Sequence, residues 1–337
     1  LTLIQWLQSN DWDCVLITEE CAEQPFQTDI CTAYQMPTYN HILRDKLCWG
    51  KDKALYLFAK QKVDVSSFDI IFCSSYYYFP LYAAHLLAKE FNIPLAIDLR
   101  DIAEQWGDTP YFTRQITPFH KLNYWIGKLY ERRQLYMRNR ILQTANIVTS
   151  ISPWHQQLLA HYNQNTHLIY NGYDADIFVP QNTISKYFYI TYLGKLYSTQ
   201  LRDPRLLFEA LKQLIAAHQI DASVIRVLFH TDSKGIKEIQ ELGEQYKLTE
   251  LLDINGYIPR QEILPIMHKS SILLVLTTKS TSNGTHGIMG TKFFENIGVE
   301  KPILCVRSDE ECLADAIHKT NAGLAATNVE EVKRFIL

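Results

Sequence analysis

The stretch that decides the fold reads Gly284-Thr285-His286-Gly287-Ile288-Met289-Gly290-Thr291-Lys292-Phe293-Phe294-Glu295-Asn296-Ile297-Gly298-Val299-Glu300-Lys301-Pro302-Ile303-Leu304. The apolar run Ile272–Leu276 precedes it and reads as a buried strand. A loop of Thr, Ser, Asn and Gly follows. A short helix then begins near Gly290, and Lys301-Pro302 stops it ahead of a second apolar run, Ile303–Val306. Strand, glycine loop, helix and strand place a helix N-terminus above a parallel sheet. The free N–H groups and positive dipole end of such a terminus suit a phosphate. Glu295, about one turn into the helix, is placed to accept hydrogen bonds from ribose hydroxyls of the same ligand.

The alternation of strand and helix continues outward on both sides, which predicts doubly wound parallel sheets. Upstream, a strand over 187–193 runs into Gly194-Lys195-Leu196-Tyr197, and Arg202-Asp203-Pro204 precedes an apolar-periodic helix over 206–217. Gly194 lets backbone approach a ligand closely. Lys195 and Arg202 can neutralise a departing diphosphate, against the plainer reading of solvated surface. Further strands are expected over 224–230, Leu252–Asn255 and Gly323–Ala326, with a helix over 329–337. In the first half, strands are expected over 14–18, 69–74, 93–99, 146–151 and 167–170. Helices are expected over 53–60, up to Phe91, and over 118–144 with a break at Gly127; Ser152-Pro153 starts another in the standard way. Residues 19–65 otherwise show no clear period. Asp98-Leu99-Arg100-Asp101 sits where a strand ends, and ligands of open α/β sheets bind beyond strand carboxyl ends. The competing reading is an ion pair that anchors a loop.

The segment G-T-K-F-F-E-N-I-G-V-E-K-P-I-L, residues 290–304, resembles the nucleotide-sugar-binding motif of glycosyltransferase family 4, which has the GT-B fold. The resemblance implies an α/β chain of two Rossmann-like domains facing a cleft: an acceptor-side domain over 1–179 and a donor-binding domain over 180–337. The segment Asn171-Gly172-Tyr173-Asp174-Ala175-Asp176-Ile177-Phe178-Val179-Pro180 is similar to the family's crossing between domains. The family resemblance of residues 290–304 implies that Glu295 holds the ribose and that backbone at Gly290 and Thr291 faces the diphosphate with Lys292 beside it, and the family's loop at 256–262 implies that Tyr257 and Ile258 flank the base. Gly194, Lys195, Arg202 and the loop residue His286 complete the donor set, although a loop histidine is more often incidental than catalytic. Arg100 and Asp101 are implied on the acceptor or the reacting sugar. Relatives carry a second Glu eight positions before this one, and here that position is Gly287. The expected activity is transfer, with retention and without a bound metal, from a nucleotide diphosphate sugar to a glycan or lipid-linked acceptor in cell-envelope or exopolysaccharide synthesis. The departure at Gly287 motivates an alternative, a binding partner that has lost the chemistry. A sugar-nucleotide epimerase is a third reading.

Composition bounds the rest. A chain of 337 residues with 47% hydrophobic content is long enough for two cores. A net charge of −3 gives no support to nucleic-acid binding. The seven cysteines form no C-x-x-C pair and read as buried free thiols of a reducing cytoplasm. No apolar run approaches a membrane span, and the opening residues do not read as a signal peptide. Leu1 is followed by a helical pattern where a strand and glycine turn are expected, and the last residues stop inside a helix, so natural sequence is expected beyond both ends. Residues 114–140 hold seven basic residues (Arg114, Lys121, Lys128, Arg132, Arg133, Arg138, Arg140) and one acid, Glu131, interleaved with Leu122, Trp125, Ile126, Leu129 and Tyr136. Such a helix can lie on an anionic membrane; the simpler expectation packs its apolar side on the core. Asp174-Ala175-Asp176 invites a metal, but two carboxylates are a weak signal. Gly284, Gly287, Gly290 and Lys292 fail as a P-loop because Phe293 stands where Ser or Thr is required. Neither G-x-S-x-G nor H-E-x-x-H occurs.

Overall fold

A computed structural model of the chain describes residues 2–20, 28–40, 48–106, 119–199, 201–277, 285–306 and 311–337. Leu1, Arg114 and Gly284, named above, lie outside the described residues. The chain divides into two units. Leu1–Ala103, Pro110–Ile151 and His155–Ile169 form the first; Glu104–Thr109, Ser152–Trp154 and Tyr170–Leu337 form the second.

In the first unit the described elements run α1 (Thr2–Gln8), β1 (Val15–Glu19), β2 (Thr32–Met36), α2 (Gly50–Lys62), β3 (Ile71–Tyr76), α3 (Leu81–Phe91), β4 (Leu95–Asp101), α4 (His120–Leu142), β5 (Ile147–Ser150), α5 (Pro153–Ala160) and β6 (Thr166–Leu168). β1 and β2 pair in parallel as a two-stranded sheet, and β3-β4-β5-β6 form a parallel sheet in chain order. Leu95, Ile97, Leu99 and Val148 bury the centre of that sheet. β2 is an addition to the sequence reading, which assigned nothing there. α4 runs unbroken past Gly127, because neither its hydrogen bonding nor its packing is interrupted by one glycine inside 23 helical residues. The thiols also differ from expectation: Cys73 and Cys305 are buried, but Cys48 is exposed and Cys14, Cys31 and Cys312 are partly so.

The second unit continues as β7 (Phe188–Leu193), α6 (Arg205–Ala216), β8 (Ile225–His230), α7 (Ser233–Tyr246), β9 (Leu252–Asn255), α8 (Arg260–Lys269), β10 (Ile272–Leu276), α9 (Thr291–Gly298), β11 (Ile303–Val306), α10 (Cys312–Thr320), β12 (Gly323–Ala326) and α11 (Val329–Ile336). Its six strands are parallel in the order β12-β11-β10-β7-β8-β9. Side chains alternate across a strand. Accordingly Leu304 and Val306 pack with Phe208, Leu211 and Val332, whereas Ile303 and Cys305 pack with Phe293, Leu313 and Ile317. Helices therefore cover both faces of the central strands, which is why β10 and β11 read as unbroken apolar runs.

Candidate active site

Strand order locates the site. From β7 the chain moves outward through β8 to β9, then returns to place β10 on the other side of β7. The adjacent pair β7 and β10, in register at Ile190 with Ile272 and Thr191 with Leu273, is therefore the point where the winding reverses. Ligands of open α/β sheets bind in the crevice beyond the strand carboxyl ends at such a point. The loop after β7 carries Gly194, Lys195 and Arg202. The segment after β10 carries His286 and leads into Gly290, Thr291, Lys292 and Glu295.

The loop after β7 is built around two tyrosines. Gly194 has φ 155°, and its N–H donates to His230 O at 3.0 Å. The buried Tyr192 hydroxyl donates to Lys195 O at 3.0 Å and accepts from Arg202 Nη1 at 3.1 Å. Burial pushes that phenol up, against the opposing pull of Arg202. Tyr197 adopts left-handed φ of 62°. Its ring collects both cations, Lys195 Nζ at 4.8 Å from the centroid and Arg202 Cζ at 5.1 Å. The Leu196 N–H is held by Thr231 Oγ1 and Asp232 Oδ1, both at 3.0 Å. Burial alone would raise Asp232, but the N–H of Leu196, the Thr231 hydroxyl and nearby backbone N–H groups outweigh it and hold the carboxyl below its ordinary range. Loss of surrounding water raises the exposed Tyr257 phenol, and Asp232 and Tyr197 add to it, which sets all three in one electrostatic neighbourhood. Ile258, next to it, is half-buried.

α9 begins without a side-chain cap on Gly290. A Cβ at Gly290 would meet nothing within 4 Å, so no protein atom demands a glycine there. Thr291 is exposed, and Phe293 and Asn296 turn inward. Glu295 stays half-exposed, its Oε2 accepting from Lys292 Nζ at 2.7 Å. Among the described residues its Oε1 has no partner, which leaves one oxygen for a ligand hydroxyl.

Before α9, the His286 N–H donates to Gln105 O at 2.9 Å, and its ring stacks on Trp154 at 5.3 Å with a 13° interplanar angle. Nδ1 faces Glu311 Oε1 at 2.6 Å, while Glu311 Oε2 accepts from the Gly287 N–H at 3.2 Å. Gly287 has φ +64°, and a Cβ there would fall 2.9 Å from both Ser152 Oγ and Trp154 Cε3. A glutamate therefore has no room at this position, and a carboxylate reaches the same backbone from Glu311 instead. Tyr192, Trp154, Gln105 and Glu311 are the contributors that sequence reasoning missed. Downstream of β6, Asn171 Nδ2 donates to Met289 O at 3.3 Å, and Asp174 Oδ1 accepts from the Asp176 N–H at 3.1 Å.

Arg100 and Asp101 belong to the first unit, at the end of β4. Asp98 beside them accepts from Thr149 Oγ1 at 2.7 Å and Ser74 Oγ at 3.3 Å, and lies 3.6 Å from Arg100 Nη1. Asp98 and Arg100 thus pair within β4 itself, and the pair ties no loop to the sheet.

Residues 1–177 match the family described as Glycosyltransferase Family 4. The chain belongs to glycosyltransferase family 4. A comparison with curated proteins found no match. Solved structures similar to this glycosyltransferase include sucrose-phosphate synthase from Thermosynechococcus elongatus, with TM-score 0.65 and 13% identity over 99% of this chain and 81% of the other. A glycosyltransferase from Rickettsia africae gives TM-score 0.63 and 14% identity, again over 99% and 81%. HepE from Anabaena, solved in complex with UDP and glucose, gives 0.55 and 15% over 91% and 76%. At these identities the likeness speaks to fold: the chain is a family 4 glycosyltransferase of the GT-B type, with two Rossmann-like domains.

Proposed function

We propose that this glycosyltransferase moves a sugar, with retention and without a bound metal, from a nucleotide diphosphate sugar to a glycan or lipid-linked acceptor in cell-envelope or exopolysaccharide synthesis. The reaction belongs in the cytoplasm, at the inner face of a membrane where the acceptor is lipid-linked. The observation that carries the donor reading is the convergence at the switch point. Lys195 and Arg202 follow β7, the uncapped α9 follows β10, and β7 and β10 are neighbours. Breaking the bond from the sugar to the diphosphate leaves negative charge on the leaving oxygens, and preorganised cations and N–H groups stabilise that charge where it develops. Glu295 Oε1 takes the ribose, and Tyr257 and Ile258 take the base. Arg100 and Asp101 serve the acceptor or the reacting sugar.

Thermal-shift screening of UDP-, GDP- and ADP-sugars identifies the donor, because a ligand that binds only the folded chain raises its melting temperature. With that donor, Glu295→Ala is expected to lower donor affinity about 10- to 100-fold, since a hydrogen bond to a charged group contributes about 1.5–3 kcal/mol. Transfer and donor hydrolysis fall with it while the melting temperature stays put. Turnover like that of the parent in this variant would overturn the assignment. Product analysis without an acceptor separates transfer from epimerisation. Calorimetry separates the reading as a partner protein without chemistry, which need bind no nucleoside diphosphate.

A further inference from the structure

The first unit contains a helix turned inside out. Along α4 the residues 122, 125, 129, 132, 136 and 140 follow steps of three and four and so share one stripe. On that stripe Leu122 is 46% exposed, Trp125 65%, Leu129 71% and Tyr136 62%. Arg132 and Arg140 are exposed between and beyond them, and Lys121 is exposed beside Leu122. The opposite stripe, Gly127, Glu131, Gln134 and Arg138, is buried. Gln134 accepts there from Trp49 Nε1 at 3.2 Å, Glu131 lies 3.5 Å from Lys128, and Arg138 bonds Asn139 Oδ1. Polar side chains thus point into the fold and large apolar ones into water, which corrects the expectation that this helix packs its apolar side on the core. An exposed apolar stripe of about 21 Å from Leu122 to Tyr136, at 1.5 Å per residue, marks an interaction surface.

We propose that this face of α4 docks on an anionic membrane surface. The helix would lie parallel to the membrane plane, with Trp125, Leu129 and Leu122 at the acyl boundary and Lys121, Arg132 and Arg140 among the headgroups. Charge selects this occupant over a second copy of the chain. The helix has no exposed acid, since Glu131, its only one, is buried. Self-pairing would bring cationic rows together with nothing to neutralise them, whereas anionic lipid supplies the missing charge along the whole stripe. No helix among the described residues is long and apolar enough to cross a membrane, so the contact is peripheral. The proposal rests on the membrane location given above, but its evidence is independent of the donor site.

The test is co-sedimentation of the whole chain with vesicles of phosphatidylcholine containing about 30% phosphatidylglycerol, and with pure phosphatidylcholine, at low and high salt. Binding to the anionic vesicles is expected, weakening with salt and falling at least about tenfold in Trp125→Glu/Leu129→Glu. Arg132→Glu/Arg140→Glu should lower anionic binding by at least about tenfold, as each basic residue near such a surface contributes about fivefold. The substituted residues are exposed, so folding should survive; Leu129→Glu alone serves if the double variant does not fold. Three results would each overturn the proposal: no binding by the parent at low salt, equal binding by Trp125→Glu/Leu129→Glu, or a concentration-dependent dimer that this variant dissolves. Donor thermal shifts measured on the same variants should be unchanged, which separates a failed membrane surface from a failed donor site.

Discussion

The carboxyl ends of the two principal sheets treat charge in opposite ways. In the first unit, the Asp98 carboxylate is answered from within: Thr149 and Ser74 donate to it from the neighbouring strands, and Arg100 stands beside it. In the second unit, Lys195 and Arg202 rest on the Tyr197 ring, and among the described residues neither meets a carboxylate. A charge that a fold buries for its own cohesion acquires partners, because an unpaired one is costly away from water. In the donor reading proposed above, the two cations gathered on the Tyr197 ring are available to an anion that arrives from outside.

The comparison breaks most visibly on charge removal. Lys195→Ala/Arg202→Ala is expected to lower affinity for nucleoside diphosphates at least about 100-fold, from about 1.5–3 kcal/mol per charge-assisted hydrogen bond, with little change in melting temperature. Asp98→Asn should do the reverse, costing about 1–3 kcal/mol of stability through the mismatched hydroxyls of Thr149 and Ser74 while leaving diphosphate affinity alone. Calorimetric titration of UDP, GDP and ADP alongside urea unfolding reads both. If the double variant binds like the parent, the second unit's cations are surface decoration and the contrast disappears.

Two glycines sharpen the same distinction inside the second unit. Gly287 is required by the fold: its φ is +64° and its Cβ position is already occupied by Ser152 and Trp154. Gly287→Ala should therefore cost about 1–3 kcal/mol of stability, seen as a lower urea midpoint. Gly290 has an ordinary φ of −66° and open space in front of it. Gly290→Ala should leave the urea midpoint nearly unchanged, since its φ suits alanine and the entropy lost by the unfolded chain offsets alanine's poorer N-cap preference. Its donor affinity should nevertheless fall about tenfold, because a methyl group stands where a phosphate approaches helix N–H groups. A destabilised Gly290→Ala with normal donor affinity would show that this glycine, too, belongs to the fold.

Legibility followed burial. Ile272–Leu276 and Ile303–Val306 were readable to the residue because strands covered on both faces leave short apolar runs between turn residues. β2, Thr-Ala-Tyr-Gln-Met, has neither an apolar run nor clean alternation, so nothing marked it. Period alone identified α4 as amphipathic, but period does not say which stripe faces inward. That was decided by Trp49 reaching Gln134 across 85 residues of sequence. The same holds in the site. Lys195, Arg202 and Glu295 sit in recognisable local motifs, whereas Trp154 and Glu311 reach His286 from elsewhere in the chain and carry no local signature.

The smallest expected effect concerns how the cationic loop keeps its shape. Asp232 is held below the usual aspartate value of 3.8 by the N–H of Leu196 and its neighbours, in spite of burial. A depressed folded-state value means that the carboxylate stabilises the fold at pH above the unfolded value, and that this contribution is lost as pH falls through the folded one. Asp232→Asn keeps an acceptor for the Leu196 N–H but removes the charge. The parent should therefore be modestly more stable than Asp232→Asn at pH 6–8, with the two urea midpoints converging as pH drops below about 4. The margin is small because the loss of surrounding water opposes the hydrogen bonds that hold Asp232 down. A difference that persisted undiminished at pH 3 would mean that shape, not charge, secures the Leu196 turn, and that the loop bearing Lys195 and Arg202 is positioned by packing against Thr231 and Tyr192 alone.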